Sequence, residues 1–185
     1  MRKNFGAKPF LYPMPVLILA AYDENGIPNA MNAAWGCMAD TNRIAIYVTA
    51  SHKTMKNILH TGAFTVSVAT EESVIAADYV GIVSGNNVPD KFERTGWHAI
   101  KSEFVNAPVI EELPMALECR FVSFDTESEL LIGEIVNVCA DEKVLTQDRI
   151  DPAKLRPICY DPVNHTYISL GDIAGNAFSD GKKLI

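Results

Sequence analysis

The chain has 185 residues, 48% of them hydrophobic and 21% charged, proportions that suit one folded domain over residues 1–185 and exclude disordered, collagenous and disulfide-scaffold classes. Sixteen Lys and Arg against 23 Asp and Glu give a formal charge of −7, which argues against a phosphate-backbone surface and so against nucleic acid as a partner. Cys37, Cys119, Cys139 and Cys159 are too widely spaced for a structural zinc site and read as reduced thiols of a cytoplasmic protein.

Arg2 and Lys3 precede an apolar stretch, but Pro9, Pro13 and Pro15 interrupt it and its best run, Val16 to Tyr22, ends at once in Asp23-Glu24-Asn25-Gly26. That run is expected to be a buried strand rather than a secretory signal. No segment approaches the roughly eighteen apolar residues of a membrane-spanning helix, so no membrane association is expected. Asn25-Gly26 marks a tight connection, and the stretch from Pro28 toward Trp35 reads as a second strand or extended loop. Arg43 to Thr49 places Ile44, Ile46 and Val48 on one face at period two, the pattern of a half-buried strand. A short amphipathic helix is predicted over Lys53 to His60, with Met55, Ile58 and Leu59 on one side, Ser51 before it and Gly62 after it. Phe64 to Ala69 alternates again, and Thr70-Glu71-Glu72 opens a second helical piece carrying Val74, Ile75 and Ala77.

Residues 81–98 are rich in Gly and Asn yet contain Phe92 and Trp97, and a structured functional loop is expected there. Met115 to Phe124 and Leu130 to Ala140 form a predicted hairpin around Asp125-Thr126-Glu127-Ser128, and Thr166 to Leu170 is a last strand before a Gly-rich tail. Short strands with only two brief helices fit a closed or nearly closed antiparallel barrel, because closure removes exposed edges. Neither G-x-G-x-x-G nor G-x-x-x-x-G-K-[ST] occurs, and no G-x-S-x-G elbow is present. His52, His60, His98 and His165 share no metal-ligand spacing, so no metal is expected.

Two clusters carry candidate chemistry. In Ser51-His52-Lys53-Thr54, hydroxyls, a lysine and the positive end of a helix converge on what would hold one phosphate. Spacing alone also describes an ordinary helix cap with a solvated Lys53. In Asn29-Ala30-Met31-Asn32-Ala33-Ala34-Trp35, small residues would let backbone groups approach a flat heteroaromatic ring whose edge the amides satisfy. A plain strand with Trp35 in the core fits the same residues.

Taken together, PMPVLILAAYDENGIPNAMNAAW, SHKTMKNI followed by GAFTVSVA, ADYVGIVSGNNVPDKFERTGW, LLIGEIVNV and YISLGDIAGNAFSDGK resemble the flavin reductase-like proteins, and within them the flavoredoxin branch. The resemblance implies a mainly β fold with short helices, a six-stranded antiparallel split β-barrel of Greek-key type, which binds FMN noncovalently as a homodimer. It places Asn32, Ala33, Ala34, Trp35, Cys37 and Met38 beside the flavin ring, and Ser51, His52, Lys53, Thr54 and Asn57 at the phosphate and ribityl chain. Many relatives have Arg at His52 or Lys53 and a hydroxyl at Ala33 or Ala34, so backbone contacts are expected at those positions. Lys91, in Asp90-Lys91-Phe92, falls near the ring, where a cation would raise the flavin's potential.

The activity expected from this resemblance is transfer of electrons from NADH or NADPH through FMN to flavin or another acceptor. The alternative is a flavoredoxin-type electron carrier that is reduced by, and reduces, partner proteins. A barrel that binds without redox turnover is a third reading, with a colourless protein as its sign. The first is favoured slightly if Lys91, Phe92 and Trp97 form a mobile cover that admits a stacked nicotinamide.

Overall fold

The computed structural model describes residues 1–185 throughout. In chain order its elements are β1 (Met14–Pro15), β2 (Leu17–Tyr22), β3 (Pro28–Ala33), β4 (Gly36–Asp40), β5 (Arg43–Tyr47), α1 (Lys53–Thr61), β6 (Ala63–Val68) and α2 (Val74–Ile82). There follow β7 (Ala99–Lys101), β8 (Pro108–Ile110), β9 (Met115–Asp125), β10 (Leu130–Ala140), β11 (Leu145–Thr146), β12 (Arg149–Ile150), α3 (Pro152–Leu155), β13 (Ile158–Asp161) and β14 (Thr166–Ser169). No helix is long and apolar enough to cross a membrane.

Seven strands form one antiparallel sheet in the order β3-β2-β6-β9-β10-β5-β4. Its two edge strands are consecutive in sequence and are joined only by Ala34-Trp35. The sheet therefore curls until the chain steps from one edge to the other, yet β3 and β4 share no ladder. This unpaired seam is the split of a split barrel, and β4 is one strand beyond the six expected. Inward side chains from both flanks of the seam, Leu17, Leu19, Met31, Ile44, Ile46 and Leu131, meet in a single core with Met55 and Ile58 of α1. Helix α1 owes its place to that face: Met55 and Ile58 are fully buried, and Gly62 takes the left-handed conformation (φ 68°) that ends the helix.

At Gly133 on β10 the ladder to β9 shifts register. There Phe64, reaching inward from β6, fills the space where a side chain would project: a Cβ on Gly133 would sit 2.4 Å from Phe64 Cζ. Strand β2 is buried on both faces. Leu17, Leu19 and Ala21 look into the barrel, while Ile18 and Ala20 look outward into a second core with Ala77 and Val80 of α2, Phe92, Trp97 and Ile110. Residues 83–98 are held there by Phe92 and Trp97, each 7% exposed and packed edge to face at 6.4 Å.

A second sheet, β1-β13-β14, and two ribbons, β7-β8 and β11-β12, lie outside the barrel. All four cysteines are free thiols.

Candidate functional site

A cleft of about 160 Å³ opens where β3, the start of α1, the end of α2 and the following loop meet. Five of the residues that the resemblance assigns to the flavin line it, Asn32, His52, Lys53, Thr54 and Lys91, with Asn29 and Met31 of the amide-rich cluster beside them. Helix α1 points its N-terminus at the cleft, and its N-cap, His52, makes no side-chain hydrogen bond to the first-turn amides. Those N–H groups lack intrahelical partners and carry the positive end of the helix dipole. Thr54 Oγ1 accepts a 2.6 Å hydrogen bond from the buried Asn29 Nδ2, which leaves its hydroxyl hydrogen for a ligand. Asn32 Nδ2 donates to Ala77 O at 3.0 Å, so the amide is locked with its oxygen left as an acceptor.

The two lysines differ in kind. Lys53 is partly exposed and pairs with Asp23 at 3.6 Å. Lys91 is 3% exposed and joins none of the chain's ion pairs. Burial without a counter-ion pushes its ammonium down to about 8. A buried cation with no anion beside it is costly unless a ligand supplies one.

Asn29, of the amide-rich cluster, and the 81–85 backbone, of the expected functional loop, form the far wall, but the sequence did not show that they touch. Gly85 is required there: an added Cβ would meet Asn29 Oδ1 at 2.4 Å, displacing the amide that holds Thr54. The signals were present as a glycine and an amide, but they lie 56 positions apart and only the fold brings them together.

The remaining candidates stand elsewhere. Ala33 faces the barrel core, and Asn57 is 3% exposed with Nδ2 directed to Ala21 O at 3.5 Å. Ser51 is exposed, and its carbonyl accepts from Asn86 Nδ2 at 3.0 Å. Ala34, Trp35, Cys37 and Met38 lie along the seam and edge strand β4, where Trp35 and Met38 are 59% and 54% exposed. The expected cover by Phe92 and Trp97 is corrected: both rings are spent in the outer core, so they anchor the loop and are not free to stack on a ligand.

Replacing Lys53 by Ala is expected to weaken anion binding in the cleft by about 1–2 kcal/mol, the loss of a charge-assisted contact moderated by the competing Asp23. Titration with inorganic phosphate and with FMN checks it, and Asp23→Asn should shift affinity the opposite way.

Residues 10–161 match the flavin reductase like domain, and the chain belongs to that family. Its fold is superposable on a flavoredoxin of Desulfovibrio vulgaris (Miyazaki F) with a TM-score of 0.93 and 36% identity, covering 98% of this chain and 100% of that one. A flavoredoxin from Methanosarcina acetivorans gives a TM-score of 0.87 and 30% identity with full coverage of both chains. The uncharacterised protein YddH of Escherichia coli K12 is 31% identical over 142 residues, 73% of this chain and 75% of that protein.

Proposed function

We propose that the chain is an FMN-dependent electron carrier of the flavoredoxin type, working as a homodimer and exchanging electrons with partner proteins. Likeness to two flavoredoxins over essentially the whole length supports the carrier over the reductase. The observation that carries FMN itself is the cleft, where the uncapped end of α1, Lys53, Thr54 and the unpaired Lys91 converge beside a glycine-lined wall.

The residues fit the group. The α1 amides with His52, Lys53 and Thr54 would hold a phosphate, and the Asn29 and Asn32 amides would line the polyol and ring. Trp35, Cys37 and Met38 offer an exposed shelf on the edge strand that a second copy would cover. FMN, when bound, supplies one- and two-electron chemistry. The chain's part is electrostatic: Lys91 holds a buried, unpaired positive charge at the cleft, which favours negative charge gathered opposite it and so tunes the potential upward. One phosphate-sized end and no adenine-binding glycine motif favour FMN over FAD. The purified protein is expected to be yellow, with FMN as the pigment released and identified by mass; FAD or a colourless, non-binding protein overturns this.

A second reading, NADH- or NADPH-dependent flavin reduction, is favoured by the family's reductase members. Anaerobic mixing separates the two. A carrier's flavin absorbance is bleached by a reduced iron–sulfur protein or flavoprotein and only slowly by either nucleotide. Rapid bleaching by NADH or NADPH would make the chain a reductase.

A further inference from the structure

The second sheet lies outside the barrel, yet one of its side chains bears on the cleft. Tyr167 of β14 is half-buried against the outer core, and its hydroxyl donates to Asp78 Oδ1 on α2 at 2.8 Å. Asp78 joins none of the chain's ion pairs, so the phenol is what its carboxylate is bound to. The residue before it, Ala77, offers its carbonyl to Asn32 Nδ2 at 3.0 Å. One turn further along, a Cβ on Gly81 would sit 3.2 Å from Asn32 Cβ. Asn32 is thus gripped by α2 at i and i+4, and the tether from β14 lands between the two.

The polarity of these contacts is set at their outer end. An ionised carboxylate only accepts, so the Tyr167 hydrogen is committed to Asp78 and the phenol oxygen is left to accept. Burial and then Asp78 push this hydroxyl up to about 12, while the Asn32 amide acts on it in the opposite sense, as an N–H directed at the oxygen does. The amide nitrogen therefore has acceptors around it, Ala77 O and the Tyr167 oxygen. Reversing the amide would set oxygen against oxygen, so its own Oδ1 is left for the cleft, which Asn32 lines together with Lys91.

A fixed acceptor takes a hydrogen-bond donor. The oxidised isoalloxazine ring has a single N–H, N3–H, set between two carbonyls, and apart from its phosphate the other donors of FMN are the hydroxyls of the polyol. A lysine in the same cleft suits a carbonyl beside that N–H. We infer that Asp78 and Tyr167 are positioning residues of the flavin site, acting through Asn32 by holding its Oδ1 as the acceptor for the ring N3–H. The inference rests on the FMN reading for the ligand.

The test titrates wild type, Tyr167→Phe, Asp78→Ala and the double variant with FMN and with 3-methyl-FMN, in which a methyl group replaces the N–H. Wild type is expected to bind 3-methyl-FMN about tenfold more weakly, because the acceptor is left unpaired; equal affinity overturns the assignment to N3–H. Each single variant should lose about fivefold in FMN affinity, the worth of one hydrogen bond, with its affinity for 3-methyl-FMN unchanged. A merely structural role would weaken both ligands alike, and that result, or no loss at all, overturns the positioning role. Since the pair acts as one unit, the double variant should lose no more than either single one, whereas additive losses overturn the relay. The Asn32 side-chain amide, followed by NMR in the FMN-free protein, should exchange slowly with solvent in wild type and faster in Tyr167→Phe; unchanged exchange overturns the tether. A chain that binds neither flavin yet shows that quickening refutes the functional reading alone.

Discussion

Replacing Lys91 by Met is expected to weaken FMN binding by about 1.5–3 kcal/mol, roughly tenfold to a hundredfold, while making the FMN-free protein more stable. The two effects have one origin. The ammonium is 3% exposed and unpaired in the free protein, so its charge costs stability there and contributes only when an anion arrives. Its folded value, about 8, lies below the ordinary 10.5. The unfolded chain therefore binds more protons between these limits, and the free protein gains stability as pH rises from about 8 toward 10.5, by up to roughly 3 kcal/mol. FMN affinity should fall over the same rise, because the neutral amine no longer meets the anion with charge. In Lys91→Met both slopes should flatten. Calorimetry at pH 7 and 9.5 with parallel flavin titrations measures them; a less stable variant with undiminished affinity would assign Lys91 a structural role instead.

Phe64→Ala is expected to cost about 3–5 kcal/mol, the range for emptying a fully buried aromatic site. Gly133→Ala should cost about 1–3 kcal/mol from the opposite fault, since the new methyl meets the ring at 2.4–2.9 Å. In the double variant the methyl enters the space the ring has left, so the combined loss should fall below the sum of the two. Urea denaturation of the four proteins completes the cycle, and strict additivity would mean that ring and glycine do not share that volume.

Much of the barrel was legible because its strands obey a local rule. Alternation in Arg43 to Tyr47 and Ala63 to Val68, and the long 115–125 and 130–140 pair, appear almost at their predicted limits. Helix α1 was marked at its end by Gly62. Strand β4 was not, since its exposed sequence Gly-Cys-Met-Ala-Asp has no buried face to impose a period. Strands β1 and β13 are short pieces beside prolines, defined by pairing with distant partners, β1 with β13 and β13 also with β14. At the site, Lys53, Thr54 and the Asn29 and Asn32 amides announced themselves by chemistry and Lys91 only through the family resemblance, whereas the meeting of Asn29 with Gly85 depends on a contact between distant segments. Phe92 and Trp97 misled because a glycine-rich stretch suggested movement; their burial fixes it.

Strand β2 is a wall common to two compartments, the barrel's interior on one side and the layer beside the cleft on the other. Leu17 and Ile18 are neighbours on one strand, yet a change in either presses on a different room. Such a strand has no neutral side on which sequence can drift. It also joins the two compartments' fates: ligand that steadies α2 steadies Ile18 and Ala20, and through the same backbone the ladders to β3 and β6. Loss of the ligand and loss of the barrel should then meet in one cooperative event, with the amides of β2 the last in the molecule to exchange with solvent.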